Sequence, residues 1–150
     1  MERPSTQPIG LQLSRTAKVV SRAFDDALAA AGGSLPTWLV MVSLKAERHG
    51  MQRDLASAVG IEGPTLTHHL NRMEATGLVR RTRDPENRRV HRVELTAAGE
   101  AEFHRLRRTV GAFDRRLRHG LAAKEIALLG SLLDRLRHNV GAPATTEAVP

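Results

Sequence analysis

The chain has no cysteine and no tyrosine, and only one tryptophan and three phenylalanines among its 150 residues. Without thiols there are no disulfides, no thiolate metal ligands and no thiol redox switch. So few aromatics argue against the stacking platforms on which single strands and RNA are read. No apolar run approaches the roughly 18 to 20 residues of a membrane span. The opening stretch M-E-R-P-S-T-Q-P lacks the apolar core of a signal peptide, so the expectation is a cytoplasmic protein with no membrane association. No glycine-rich phosphate loop and no G-x-S-x-G elbow is present, and neither enzymatic activity nor a cofactor is expected.

What the chain has in quantity is arginine. Lysine and arginine number 23 against 16 acidic residues, a net charge of +7, and only Lys18, Lys45 and Lys124 are lysines. The planar guanidinium fork suits bidentate contacts to phosphate and guanine. An arginine-rich composition also follows from GC-rich coding sequence, so placement matters more than the total. Between Arg80 and Arg92 six arginines stand against Asp84 and Glu86. Such a cluster is expected to repel itself unless a polyanion relieves it.

The length suits one domain with a real core, and most of it has helical periodicity. Leu13, Ala17, Val20, Phe24, Ala27 and Ala31 predict a long amphipathic helix stopped at Gly32-Gly33. A second helix starts near Ser34, with Leu35, Trp38, Leu39 and Val42 inward. A short third helix carries Leu55, Ala56 and Val59 and closes at Gly60. A fourth, 64–76, opens on Pro64 and turns Leu66, Leu70 and Met73 to the core. Two strands, roughly 78–83 and 90–95, then form a hairpin. Thr96 caps a fifth helix with Phe103, Leu106, Val110, Phe113 and Leu117 on one face. A sixth aligns Leu129, Leu132, Leu133, Leu136 and Val140.

The predicted fold is mainly α with a small β wing. A winged helix-turn-helix core, 35–95, is flanked by N- and C-terminal dimerisation helices, 11–32 and 97–140. These make a single unit, 11–140, between frayed tails at 1–10 and 141–150. The long apolar stripes outside the winged core predict a homodimer, since a second copy is the simplest cover for them.

Two helices joined by a tight turn and followed by a basic hairpin can place one helix in a major groove and the wing in the adjacent minor groove. Thr65, Thr67, His68 and Arg72 lie on one side of the fourth helix, suited to base edges and nearby backbone. At the hairpin tip, D84-P-E-N-R-R89, Arg88 and Arg89 are candidates for a narrow minor groove, where negative potential concentrates. Asp84 and Asn87 can hold their stems by hydrogen bonds. Double-stranded DNA is therefore the expected partner.

The motifs L55-A-S-A-V-G-I61, P64-T-L-T-H-H-L-N-R-M-E-A-T-G-L-V79, D84-P-E-N-R-R89 and L95-T-A-A-G99, in this order and spacing, resemble the multiple-antibiotic-resistance regulator (MarR) family over about residues 11–140. The resemblance implies a homodimeric winged helix-turn-helix repressor on a pseudopalindromic operator. Pro64, Thr65, Thr67, His68 and Arg72 would face the major groove and Arg89 the minor groove. It also implies a small phenolic or carboxylate effector that lowers DNA affinity. Arg22, Trp38, Met41, Val42 and Lys45 are the lining candidates. The chain departs from the family pattern at Asn87, where an acidic residue is usual, which leaves Asp84 as the carboxylate to orient the arginine. It departs again at Glu62-Gly63-Pro64, where a serine cap is typical.

The alternatives are a sequence-tolerant architectural DNA-binding protein, or a metal- or ligand-sensing regulator using histidines. Adjacent His68 and His69 point about 100° apart on a helix and cannot chelate one ion together. His104 has only Glu100 at a chelating helical spacing, so no metal is expected.

Overall fold

A computed structural model describes residues 8–47 and 50–141. The order is α1 (Ile9–Ala30), α2 (Leu35–Glu47), β1 (Gly50–Met51), α3 (Gln52–Val59), α4 (Gly63–Ala75), β2 (Val79–Arg83), β3 (His91–Leu95), α5 (Ala97–Leu117) and α6 (Ala123–Asn139). The mainly helical chain with a small β wing matches the predicted class. The chain forms two compact units, one up to Val110 and one from Gly111. The expected tails at 1–7 and 142–150 lie outside the described residues, while residues 9 and 10 are helical rather than frayed.

In the first unit, Gly32 adopts a left-handed φ of 77°. The Gly33 N–H then returns to the Leu28 carbonyl at 2.8 Å, ending α1. Gly33 faces Leu106 so closely that a Cβ there would come within 2.6 Å of its Cδ2. The Ser34 hydroxyl accepts the Thr37 N–H at 3.3 Å and caps α2. On α2 the fully buried residues are Val40, Met41 and Leu44, whereas Leu35, Trp38, Leu39 and Val42 are half-buried. The helix is apolar around most of its circumference, so periodicity did not single out its deepest side.

Leu66, Leu70 and Met73 of α4 join Leu55, Val79, Val93, Phe103 and Leu106 in one core. The sheet is antiparallel in the order β1-β3-β2, with Gly50 opposite Val93 and Val79 opposite Leu95. Strand β1 was not foreseen, because two residues cannot display alternation. The Thr96 hydroxyl accepts the Gly99 N–H at 3.0 Å and donates to the Gly77 carbonyl, so one side chain both caps α5 and ties it to the end of α4.

Apolar side chains remain uncovered. Of the 22 residues of α1 only Leu28 is buried, and Ile9, Leu11, Leu13 and Val19 are exposed. In the second unit α6 buries nothing, and Leu128, Leu129 and Leu132 face solvent. Among the described residues no single helix is long and apolar enough to cross a membrane.

Candidate nucleic-acid interface

Gly60, at φ 71°, lets α3 end and the chain turn into α4. Glu62 precedes α4 in an extended conformation without a side-chain cap, and Pro64 stands in the first turn. The main-chain N–H groups of that turn thus have no side-chain partner, at the end where the helix dipole favours anions.

Side chains on α4 fall into two groups. Pro64, Thr65, His68 and Arg72 are exposed. Thr67 is half-buried, accepting from Gln52 Nε2 at 2.9 Å and donating its only hydroxyl proton to the Gly63 carbonyl at 3.0 Å. It therefore braces the helix-turn-helix, with only a lone pair left for a ligand. Burial, then the neighbouring charges of His68 and Arg72, push the His69 imidazole below its ordinary pKa.

Wing arginines divide in the same way. The Arg80 Nε donates to Glu94 at 2.9 Å. Arg81 binds Glu74 and Asn71 on α4. Arg92 donates to Asp84 Oδ2 through Nε at 3.2 Å and through a terminal nitrogen at 3.1 Å. The cluster thus relieves half of its own repulsion, contrary to the expectation that a polyanion must do so. Arg83, Arg88 and Arg89 are exposed, and none has a side-chain ion pair among the described residues.

Asp84 does not orient Arg88 or Arg89. Its Oδ1 accepts the Glu86 N–H at 2.8 Å, and that bond, followed by Arg92, holds its carboxyl below the usual range. The Asn87 side chain accepts the Arg89 main-chain N–H at 3.2 Å. Both residues shape the turn and leave the guanidinium groups at its tip unrestrained.

The effector candidates differ in burial and in what they touch. Met41 is fully buried, and Trp38 stacks on Phe103 at 5.3 Å between ring centroids. Lys45 pairs with Glu100 at 2.9 Å and lies 5.5 Å from the centre of the same phenyl ring. Arg22 is exposed and Val42 packs against the core. Phe103 packs against both Trp38 and Lys45 of that set. A cavity of about 410 Å³ lies between the α1–α2 turn and α4, where Gly33, Pro36, His69, Arg72, Met73 and Glu102 contribute to its wall. Local patterning could not reveal this cavity, because its walls come from segments more than twenty residues apart. Among the described residues no three His, Asp or Glu side chains are placed to hold a metal ion.

Residues 34–91 match the MarR family model. The fold is shared with AbsC, a MarR family transcriptional regulator from Streptomyces coelicolor, at a TM-score of 0.78 and 21% identity, covering 93% of this chain and 97% of that one. It is shared with a mutant MarR from E. coli complexed with operator DNA, at 0.76 and 24%, covering 86% and 93%. The PcaV transcriptional regulator from Streptomyces coelicolor, in complex with its natural ligand, matches at 0.76 and 22%, covering 91% and 99%. The match to the MarR family model thus falls on the helix-turn-helix and most of the wing, the segment that forms the interface described above.

Proposed function

We propose that this chain is a homodimeric, sequence-specific transcription regulator of the cytoplasm, acting as a repressor on a pseudopalindromic operator. Pro64, Thr65, His68 and Arg72 enter the major groove, Thr67 braces the helix that carries them, and Arg88 and Arg89 reach the minor groove. The observation that carries this reading is the division among the wing arginines: three are neutralised by acids of the same fold, and three are left exposed without a counter-charge among the described residues. Cations held without partners on a rigid hairpin, beside an uncapped helix start, suit a polyanion with regularly spaced phosphates.

The dimer reading is supported by the exposed apolar residues of α1 and α6. Two copies related by a twofold axis would read half-sites one helical turn apart, roughly 10 bp. A small phenolic or carboxylate effector fits the cavity beside His69 and Arg72 better than the Trp38–Lys45 cluster. Its volume lies within the usual range for small-molecule sites, and Arg72 belongs to both surfaces, so an anion bound there competes with DNA for one guanidinium.

Footprinting on fragments of the source genome tests the reading. A protected inverted repeat is the expected result. Uniform coverage with no preferred site would make the protein an architectural one, and no protection at any concentration would remove DNA from its function.

A further inference from the structure

Arg81 differs from every other arginine of the wing. It is centred on β2 opposite Val93 and shares the inward side of the strand with buried Val79. Its side chain is 18% exposed, against 67% for Arg80 and 44% for Arg92. Three hydrogen bonds converge on it from α4. Its main-chain N–H donates to Glu74 Oε2 at 3.0 Å, and one terminal nitrogen donates to Glu74 Oε1 at 3.1 Å and to Asn71 Oδ1 at 2.6 Å. Asn71 and Glu74 lie three residues apart on the helix, so they present adjacent acceptors on one surface. The helix grips both the backbone and the side chain of the strand.

We propose that Arg81, Glu74 and Asn71 form a positioning joint that sets the angle of the wing on the groove helix, and so makes the two groove contacts simultaneous and sequence-dependent. This rests on the DNA-binding reading of the interface. From Arg81 to the turn at Glu86 is five residues, about 16 Å of extended chain. A rotation of about 10° at the joint therefore moves the tip by roughly 3 Å, enough to break a hydrogen bond there. The wing has other ties: Val79 and Val93 pack in the core, β1 pairs with β3 at Val93 and Arg92, and the Thr96 bonds to Gly77 and Gly99 hold the base of the sheet. Arg81 adds directional hydrogen bonds from the middle of β2 to the side chains of α4, which apolar packing does not supply.

Glu74 gives the joint a signature of opposite sign to simple electrostatics. Removing an acid near DNA ordinarily tightens binding to any sequence. Removing this one frees the wing, and binding to a preferred sequence weakens. The probes are a 30-bp duplex enriched from a random pool by the wild-type chain and a scrambled duplex of the same composition. Affinities are measured by fluorescence anisotropy for Glu74→Ala, Arg81→Ala, the double variant and Arg81→Lys, with thermal melts to confirm folding.

Each single alanine variant is expected to lose about tenfold on the enriched duplex, and the double variant no more than about twofold beyond that, because coupled residues do not add. Arg81→Lys, which keeps the charge and loses the fork, should lose nearly as much. On the scrambled duplex Glu74→Ala should bind as well as wild type or better. Tighter binding of Glu74→Ala to both duplexes, wild-type affinity in Arg81→Lys, or a roughly hundredfold additive loss in the double variant would each overturn the joint while leaving DNA binding intact. A wild-type chain that binds neither duplex would refute the DNA-binding reading, and the joint with it.

Discussion

Gly99 sits in the first turn of α5, where a side chain has no room. A Cβ built there would lie 3.0 Å from the Leu78 carbonyl carbon, 3.1 Å from Leu95 Cδ2 and well inside contact of the Leu78 oxygen. That oxygen already accepts the Thr96 N–H at 3.1 Å. Gly99→Ala therefore forces α5 to retreat by roughly 1 Å to bring the new Cβ out of overlap with the Leu78 oxygen. The retreat strains the cap bond between the Gly99 N–H and Thr96, worth about 1 kcal/mol. Overpacking adds about 1–3 kcal/mol, and the helix preference of alanine over glycine returns at most about 1 kcal/mol. The net loss is about 1–3 kcal/mol, a fall in Tm of roughly 5 °C for a chain of this size. Thermal melting followed by circular dichroism measures it. A Tm equal to or above wild type would show that α5 and the start of β2 are not packed as described.

Acidification should destabilise the first unit in stages. The His69 pKa is depressed from 6.5, so the unfolded chain takes up a proton that the folded one resists, and stability falls as pH drops below 6.5. Glu74 and Asp84, held below 4.5 and 3.8 by their partners, keep their contributions above those values and lose them as pH falls further. Urea midpoints from pH 8 to 2.5 should decline, with His69→Gln flattening the first stage; a midpoint that rises on acidification would contradict these assignments. Leu129 and Leu132 are exposed within one copy, so with Glu at both positions the mass from light scattering should fall to the 16.4 kDa of a single chain without loss of helix. Unchanged mass would place the twofold contact elsewhere. Small aromatic acids should raise the Tm of the wild-type chain and less so that of Arg72→Ala; an equal shift in both would move the effector away from the cavity.

The surfaces made by local rules were legible in the sequence. The buried triad of Leu66, Leu70 and Met73, the hairpin and the Thr96 cap each depend on residues a few positions apart. Features made by long-range packing were not. Thr67 reads as an outward hydroxyl until Gln52, fifteen residues earlier, is seen to occupy it. Six arginines read as one cationic cluster, yet Glu74 and Glu94 approach it from another helix and the opposite strand. Met41 and Trp38 share helical spacing with pocket linings generally, and the stacking of Trp38 on Phe103, from a helix far along the chain, has no local signal.

The central claim, that the unpaired wing arginines meet DNA phosphate and the paired ones do not, is tested most directly by salt dependence. The slope of log affinity against log salt should become shallower by about 0.9 for each phosphate that is no longer neutralised. For a dimer of Arg89→Ala that is about 1.8, with affinity falling by roughly 1–3 kcal/mol per arginine removed. Arg80→Ala, whose charge Glu94 already offsets, should leave the slope close to wild type. Equal changes in slope for the two variants would contradict the account.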